Sequence, residues 1–254
     1  MNKKALVREY AQKHRYFFLF QIARDTGLSK EILWNYLSQL KAEKVIFDAG
    51  YGCYSIVAKS FKLPTIEREQ DIAQFIKREF PLVTDFVVWD TKALQSFYHH
   101  TQTHHITFVE VEKDLLSSVY DKLYLKFKNV LKENRSKAFF KVFDVARNPV
   151  VVRGLVSRSP RDGHVPVLEK ILIDMFMDLE KYNYIGRSDY LEIWRELIQE
   201  YRMDIRIIHS IVNAGSVWKV YCRNLLKLKR VMVLSFANYS KKLANLYNLR
   251  DRYV

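Results

Sequence analysis

In the first sixty residues apolar positions recur at helical spacing in three short stretches. Over 3–13, Ala5, Leu6, Tyr10 and Ala11 share one side of a helix, and a second short helix is predicted over 19–26. Asp25-Thr26-Gly27-Leu28-Ser29 follows, with a glycine able to take positive φ and a serine suited to cap a helix starting at Lys30. In that third helix Leu33, Tyr36, Leu37 and Leu40 fall on one face, leaving Lys30, Glu31, Trp34, Asn35, Ser38 and Lys41 on the other. The pattern then changes: 44–47 reads as a strand, 48–52 as a turn and 53–57 as the returning strand. Three helices and a hairpin predict a winged helix–turn–helix over 1–60.

Leu63-Pro64 interrupts the periodicity and marks a boundary. Residues 66–80 are predicted helical up to Pro81, and β-rich runs over 82–89, 106–111 and 150–155 are separated by helical stretches, notably 114–127. From 165 onward the spacing is helical over 168–182, 188–201, 205–214 and 217–227, with Gly186 and Gly215 as punctuation. The expected class is α+β, an N-terminal winged helix–turn–helix followed by a mixed α/β domain with a helical C-terminal part. The expected domains are 1–60, 64–228 and a basic extension over 229–254.

Charge changes this picture more than composition does. The chain carries 42 Lys+Arg against 28 Asp+Glu, a formal net charge of +14, with 49% hydrophobic residues, so it is a folded basic protein and not a disordered basic tail. Residues 1–60 hold a net of +5, so most of the excess lies behind the N-terminal domain. Two windows concentrate it, 122–161 and 217–254. Cys53 and Cys222 form neither a disulfide framework nor a metal pattern, and the N-terminal segment lacks a signal-peptide core; a cytoplasmic protein with no membrane partner is expected.

The helix–turn–helix carries the most specific chemistry. In such modules the second helix of the pair enters the major groove, with exposed early residues at base edges and flanking lysines on phosphates. Lys30, Trp34, Asn35 and Ser38 are the candidate groove residues, since Asn can pair bidentately with adenine and Lys can reach guanine or a phosphate. Arg15, Lys41, Lys44 and Tyr51, at the hairpin tip, are candidate backbone contacts. The same fold also serves protein contacts alone, which the basic charge disfavours. Lys126, Lys128, Lys132, Arg153, Arg158 and Arg161 form a candidate second basic surface, for DNA or an acidic partner. The basic residues of 217–254 serve either as a further backbone grip or as a solvated helix face.

Other motifs are weaker. His99, His100, His104 and His105 crowd one segment, but adjacent histidines point differently and no cysteine is near, so no metal is assigned. Asp85, Glu110 and Glu112 with Lys113 resemble a magnesium nuclease core, yet such cores need an acidic residue, one spacer and a lysine on the same strand, whereas Glu112 and Lys113 are adjacent. Gly50-Tyr51-Gly52 starts like a dinucleotide fingerprint but lies in a hairpin and has Ser55 where the third glycine belongs. The common phosphate-loop, zinc-protease and hydrolase motifs are missing from the sequence, and no catalytic residue or cofactor is assigned.

With both domains laid out, the chain resembles the AbiEi-type antitoxins of type IV toxin–antitoxin, or abortive infection, operons. The resemblance rests on the N-terminal domain ending in Gly50-Tyr51-Gly52-Cys53-Tyr54, then on Trp89-Asp90-Thr91 with Phe97 and His100. It continues through Val109-Glu110-Val111-Glu112-Lys113, Val152-Arg153-Gly154-Leu155-Val156-Ser157-Arg158-Ser159-Pro160 and Pro166-Val167-Leu168-Glu169-Lys170-Ile171-Leu172. It covers about 15–228. The resemblance implies an autorepressor that binds inverted repeats in double-stranded operator DNA and counters a cognate nucleotidyltransferase-like toxin, with no catalytic centre. Alternatives from the residues are a winged-helix regulator without a toxin partner, its α/β domain sensing a small molecule, and a magnesium-dependent defence nuclease.

Overall fold

The computed structural model describes residues 2–50, 52–98, 103–134, 136–155 and 160–208. They form a mixed α/β protein in two compact units, one made by residues up to 61 together with those from 195 on, the other by 62–194. Among the described residues, no helix is long and apolar enough to cross a membrane.

The first unit opens with α1 (Lys3–Lys13), whose first turn is capped by the Asn2 side chain accepting from the N–H groups of Lys4 and Ala5. Then come β1 (Tyr16–Phe18), α2 (Leu19–Thr26), α3 (Lys30–Ala42), β2 (Phe47–Asp48) and β3 (Cys53–Ser55). Gly27 takes φ +67° at the end of α2, and Ser29 Oγ accepts from the N–H of Ile32, as the sequence predicts. Val7, Ala11, Ile22, Leu33, Leu37 and Leu40 bury the inner faces of the three helices against Phe17, Ile46 and Tyr54. The strands form an antiparallel sheet in the order β1-β3-β2, with Tyr16 opposite Ser55 and Phe47 opposite the same residue on the other edge.

The chain returns to this unit within α8 (Arg187–Glu200). The Tyr16 hydroxyl donates to the Tyr201 carbonyl at 2.9 Å and accepts from the Met203 N–H at 3.0 Å. The N–H of Arg202 reaches Lys59 O, and that of Ile205 reaches Ala49 O, each at 2.8 Å. The Arg202 guanidinium stacks 4.9 Å from the centre of the Phe47 ring. The single domain expected over 64–228 is therefore corrected: from Arg195 the described chain belongs to the N-terminal unit, where Tyr16, Ala49 and Lys59 supply backbone hydrogen-bond partners. The expected helix over 217–227, the end of that over 205–214, and the 229–254 extension lie outside the described residues.

The second unit contains a four-stranded sheet, order β4-β5-β7-β6, formed by β4 (Phe86–Asp90), β5 (Thr107–Val111), β6 (Val130–Lys132) and β7 (Val150–Gly154). β4 and β5 are antiparallel; β5–β7 and β7–β6 are parallel. Alternation along the strands assigns two faces. Phe86, Val88, Val109, Val111, Val150 and Val152 pack with Ile72 and Ile76 of α4 (Glu67–Glu79) and Val119 and Leu123 of α5 (Leu116–Lys126). The opposite parity presents Trp89, Phe108, Glu110 and Arg153 towards polar side chains of α7 (Leu168–Tyr182). A short α6 (Lys137–Val142) and a two-stranded hairpin, β8 (Arg161–Asp162) with β9 (Val165–Pro166), complete the unit.

Candidate nucleic-acid interface

α3 is held from one side and open on the other. Leu33, Leu37 and Leu40 are fully buried, whereas Lys30, Trp34, Asn35, Ser38 and Lys41 are exposed, a row that follows from 3.6-residue periodicity. Trp34 is 51% exposed, a large apolar ring left in water on a helix whose core positions are already filled by leucine. Ion pairs from α1 fix the far end of α3: Lys4 Nζ lies 2.7 Å from Glu43 Oε1, and Arg8 pairs with the same carboxylate. Lys4, foremost, holds the Glu43 carboxyl below its ordinary range, and Arg8 adds to this. Asn35 Oδ1 accepts from Gln39 Nε2 at 3.1 Å, one turn along, leaving the Asn35 amide nitrogen for an outside partner.

The other expected backbone contacts are dispersed. Arg15 is exposed while its carbonyl accepts from Ser55 Oγ and the Ile56 N–H, so its position is set by the sheet. Lys44 is exposed at φ +57°, and Lys41 Nζ lies 3.9 Å from Asp48 Oδ2 beside the hairpin. Tyr51 lies outside the described residues.

The second basic surface needs correction. Lys126 and Lys128 are exposed, and Lys132 is half-buried with Nζ donating to Ser117 Oγ at 2.7 Å. Arg161 is paired with Asp85, and Arg158 lies outside the described residues. Arg153 is no surface residue: its side chain is buried between the sheet and α7. Its Nη2 donates to Glu110 Oε1 at 2.7 Å and to Asp174 Oδ2 at 3.0 Å, and Nη1 to Asp178 Oδ2 at 2.6 Å, while the guanidinium stacks 4.3 Å from the centre of Phe108. Its register opposite Glu110 on the neighbouring parallel strand dictates this direction.

The network around Arg153 is the polar core of the second unit. Lys170 Nζ lies 2.9 Å from Glu110 Oε2 and also pairs with Asp174, and Trp89 Nε1 donates to Glu110 Oε1 at 3.2 Å. Burial alone would raise the Glu110 carboxyl, but Arg153 and Lys170 hold it below the ordinary range. Burial, reinforced by the charge of Glu110, pushes Asp174 up to about 7. Lys170, Asp174 and Asp178 recur at i, i+4 and i+8 on α7, a polar stripe on an otherwise apolar helix face that was the available sequence signal for this network.

These contacts bear on the carboxylates considered for magnesium. Glu110 is engaged by two cations, Asp85 by Arg161, and Glu112 is exposed. Among the described residues no group of three or more His, Cys, Asp or Glu side chains is arranged to hold a metal ion. His99 and His100 lie outside them.

The profile of one protein family matches residues 32–210, most of the chain. The chain belongs to DUF6577, a family of unknown function. No curated protein matches it. The DUF6577 match begins within the first turn of α3 and runs through the whole Arg153 network to the segment that returns to the first unit. Trp34, Asn35, Ser38 and Lys41 fall inside the matched region, and Arg15 and Lys30 precede it.

Proposed function

We propose that this protein is a DNA-binding antitoxin that represses its own operon and counteracts a cognate nucleotidyltransferase-like toxin. The observation that carries the DNA-binding part is the exposed row Lys30, Trp34, Asn35, Ser38 and Lys41 on a helix anchored from behind by three buried leucines. On this reading the N-terminal unit is a winged helix–turn–helix: α2 and α3 form the helix pair, the β2–β3 hairpin is the wing, and α3 enters the major groove. The excess of positive charge supports a polyanionic partner, with Lys126 and Lys128 as further phosphate contacts. The antitoxin part rests on the resemblance to AbiEi-type proteins set out above.

Fluorescence anisotropy with the duplex upstream of the protein's own gene tests the first part. Tight binding to that duplex, weaker binding to a scrambled one and loss with added salt are expected; equal, salt-insensitive binding to both overturns it. Co-expression with an adjacent nucleotidyltransferase-like gene tests the second. Restored growth supports the antitoxin role, and toxicity unrelieved by the folded protein leaves a regulator without a toxin partner.

A further inference from the structure

The second unit contains a cavity of about 580 Å³ between the start of α4 and the 3₁₀ turn after β4, within the size range of small-molecule sites. Pro64, Ile66 and Ala93 give it apolar wall, and Arg68, Lys92 and Asn148 give it polar wall. The Glu67 carboxylate also lines the cavity, and the Asp90 and Glu69 acceptors there are already engaged. Asp90 Oδ1 accepts from the Lys92 N–H at 2.8 Å and Oδ2 from Thr107 Oγ1 at 2.6 Å, and the Asp90 N–H donates to Glu69 Oε1 at 2.6 Å. The donors are not.

Arg68 is partly buried and makes no hydrogen bond or ion pair with any described residue; burial lowers its basicity, and only the charge of Asp90 works against this. The first turn of α4 has no side-chain cap, so its free N–H groups face the same end. His105 Nδ1 is buried without a partner. Asn148 Oδ1 accepts from the His105 N–H at 2.7 Å, which leaves the Asn148 amide nitrogen as its free end. A half-buried guanidinium, an ammonium and unmatched N–H groups around one cavity, beside the Glu67 and Asp90 carboxylates, call for an oxyanion. The apolar wall calls for an organic group attached to it.

We propose that this cavity binds a small organic phosphate, its phosphate held by Arg68 and the first turn of α4, with Lys92 and Asn148 as further donors. This site lies wholly in the second unit and does not depend on the DNA-binding reading.

Isothermal titration of the full-length protein with phenyl phosphate and with inorganic phosphate, at fixed ionic strength, tests it. Both are expected to saturate one site, phenyl phosphate more tightly. Arg68→Gln is expected to weaken phenyl phosphate by about tenfold or more, the loss of a charged hydrogen-bonding group. Lys122→Gln, which removes a cation paired with Glu79 at the opposite end of α4, and Asn35→Ala are expected to leave it unchanged. Should Arg68→Gln unfold the chain, Lys92→Gln takes its place, with a several-fold loss expected. Non-saturating heats, or equal losses in Arg68→Gln and Lys122→Gln, overturn the site. Displacement of phenyl phosphate by duplex DNA, with a matching loss of duplex affinity in Arg68→Gln, overturns the small-molecule assignment in favour of a nucleic-acid backbone.

Discussion

Gly50 sits against Asp204 with no space for a side chain: a Cβ on Gly50 would lie 2.5 Å from Asp204 Oδ1 and 2.6 Å from Arg206 Cγ. The residue also holds φ +86°, where only glycine is comfortable. Two independent penalties therefore fall on Gly50→Ala, a strained backbone and a clash with the returning segment. Gly27 is the contrast, with φ +67° and nothing within 4 Å of the place a Cβ would take. Urea unfolding is expected to show Gly27→Ala losing about 1 kcal/mol and Gly50→Ala about 2–3 kcal/mol. Equal losses would mean that 204–206 does not bear on the hairpin.

Arg153 is the one cation that meets Glu110, Asp174 and Asp178 together among the described residues. Arg153→Met removes the charge and leaves carboxylates buried against Lys170 alone, so chemical unfolding is expected to show a loss of about 3–5 kcal/mol. Duplex affinity per folded molecule is expected to stay at the wild-type value. A stable Arg153→Met protein with impaired DNA binding would instead return Arg153 to the surface.

Glu69 makes stability depend on pH in a definite direction. Burial, opposed by the Asp90 N–H and helped by the Asp90 charge, pushes its carboxyl from 4.5 up to about 8. The folded chain therefore holds a proton that the unfolded chain releases near 4.5, so the contribution is complete below that value and is lost as pH rises towards 8. The slope approaches about 1.4 kcal/mol per pH unit for this group. Asp174, pushed up to about 7, acts with the same sign. Unfolding midpoints for wild type and Glu69→Gln, measured from about pH 5 to 8, should converge or cross as pH rises, because the amide keeps the acceptor for the Asp90 N–H without titrating. Parallel curves would contradict the burial of a protonated carboxyl.

The proposed groove contacts separate by kind. Asn35→Ala is expected to reduce preference for the operator over scrambled DNA by about 1–3 kcal/mol, while Lys41→Ala weakens both about equally and lowers the salt slope by about one. Anisotropy titrations at several salt concentrations distinguish them. The reverse pattern would mean that α3 meets DNA in another orientation.

Where local rules suffice, the sequence was legible. The 3.6-residue spacing of Leu33, Leu37 and Leu40, with Gly27 and Ser29 before it, locates α3 and its exposed face. No local pattern marks β1, because Tyr16–Phe18 is a strand only through pairing with Cys53–Ser55, far along the chain. β6 is hidden for a similar reason: three residues in a lysine-rich stretch become a strand only beside β7. The charge of Arg153 points to the surface, although Val150 and Val152 already assign it to the face opposite theirs; the deciding partners, Asp174 and Asp178, come from a helix whose docking no local pattern states. No local pattern states the return of 195–208 to the first unit either, since it rests on a few long-range contacts, among them hydrogen bonds to Tyr16, Ala49 and Lys59.

That return also sets an order of events during synthesis. At roughly 5–20 residues per second, the segment that Tyr16 and Ala49 await emerges on the order of ten seconds after Phe61, once all of the second unit has been made. The first unit is thus the first begun and the last finished, and a chain cut short before Arg195 carries α3 but lacks the segment that braces its hairpin.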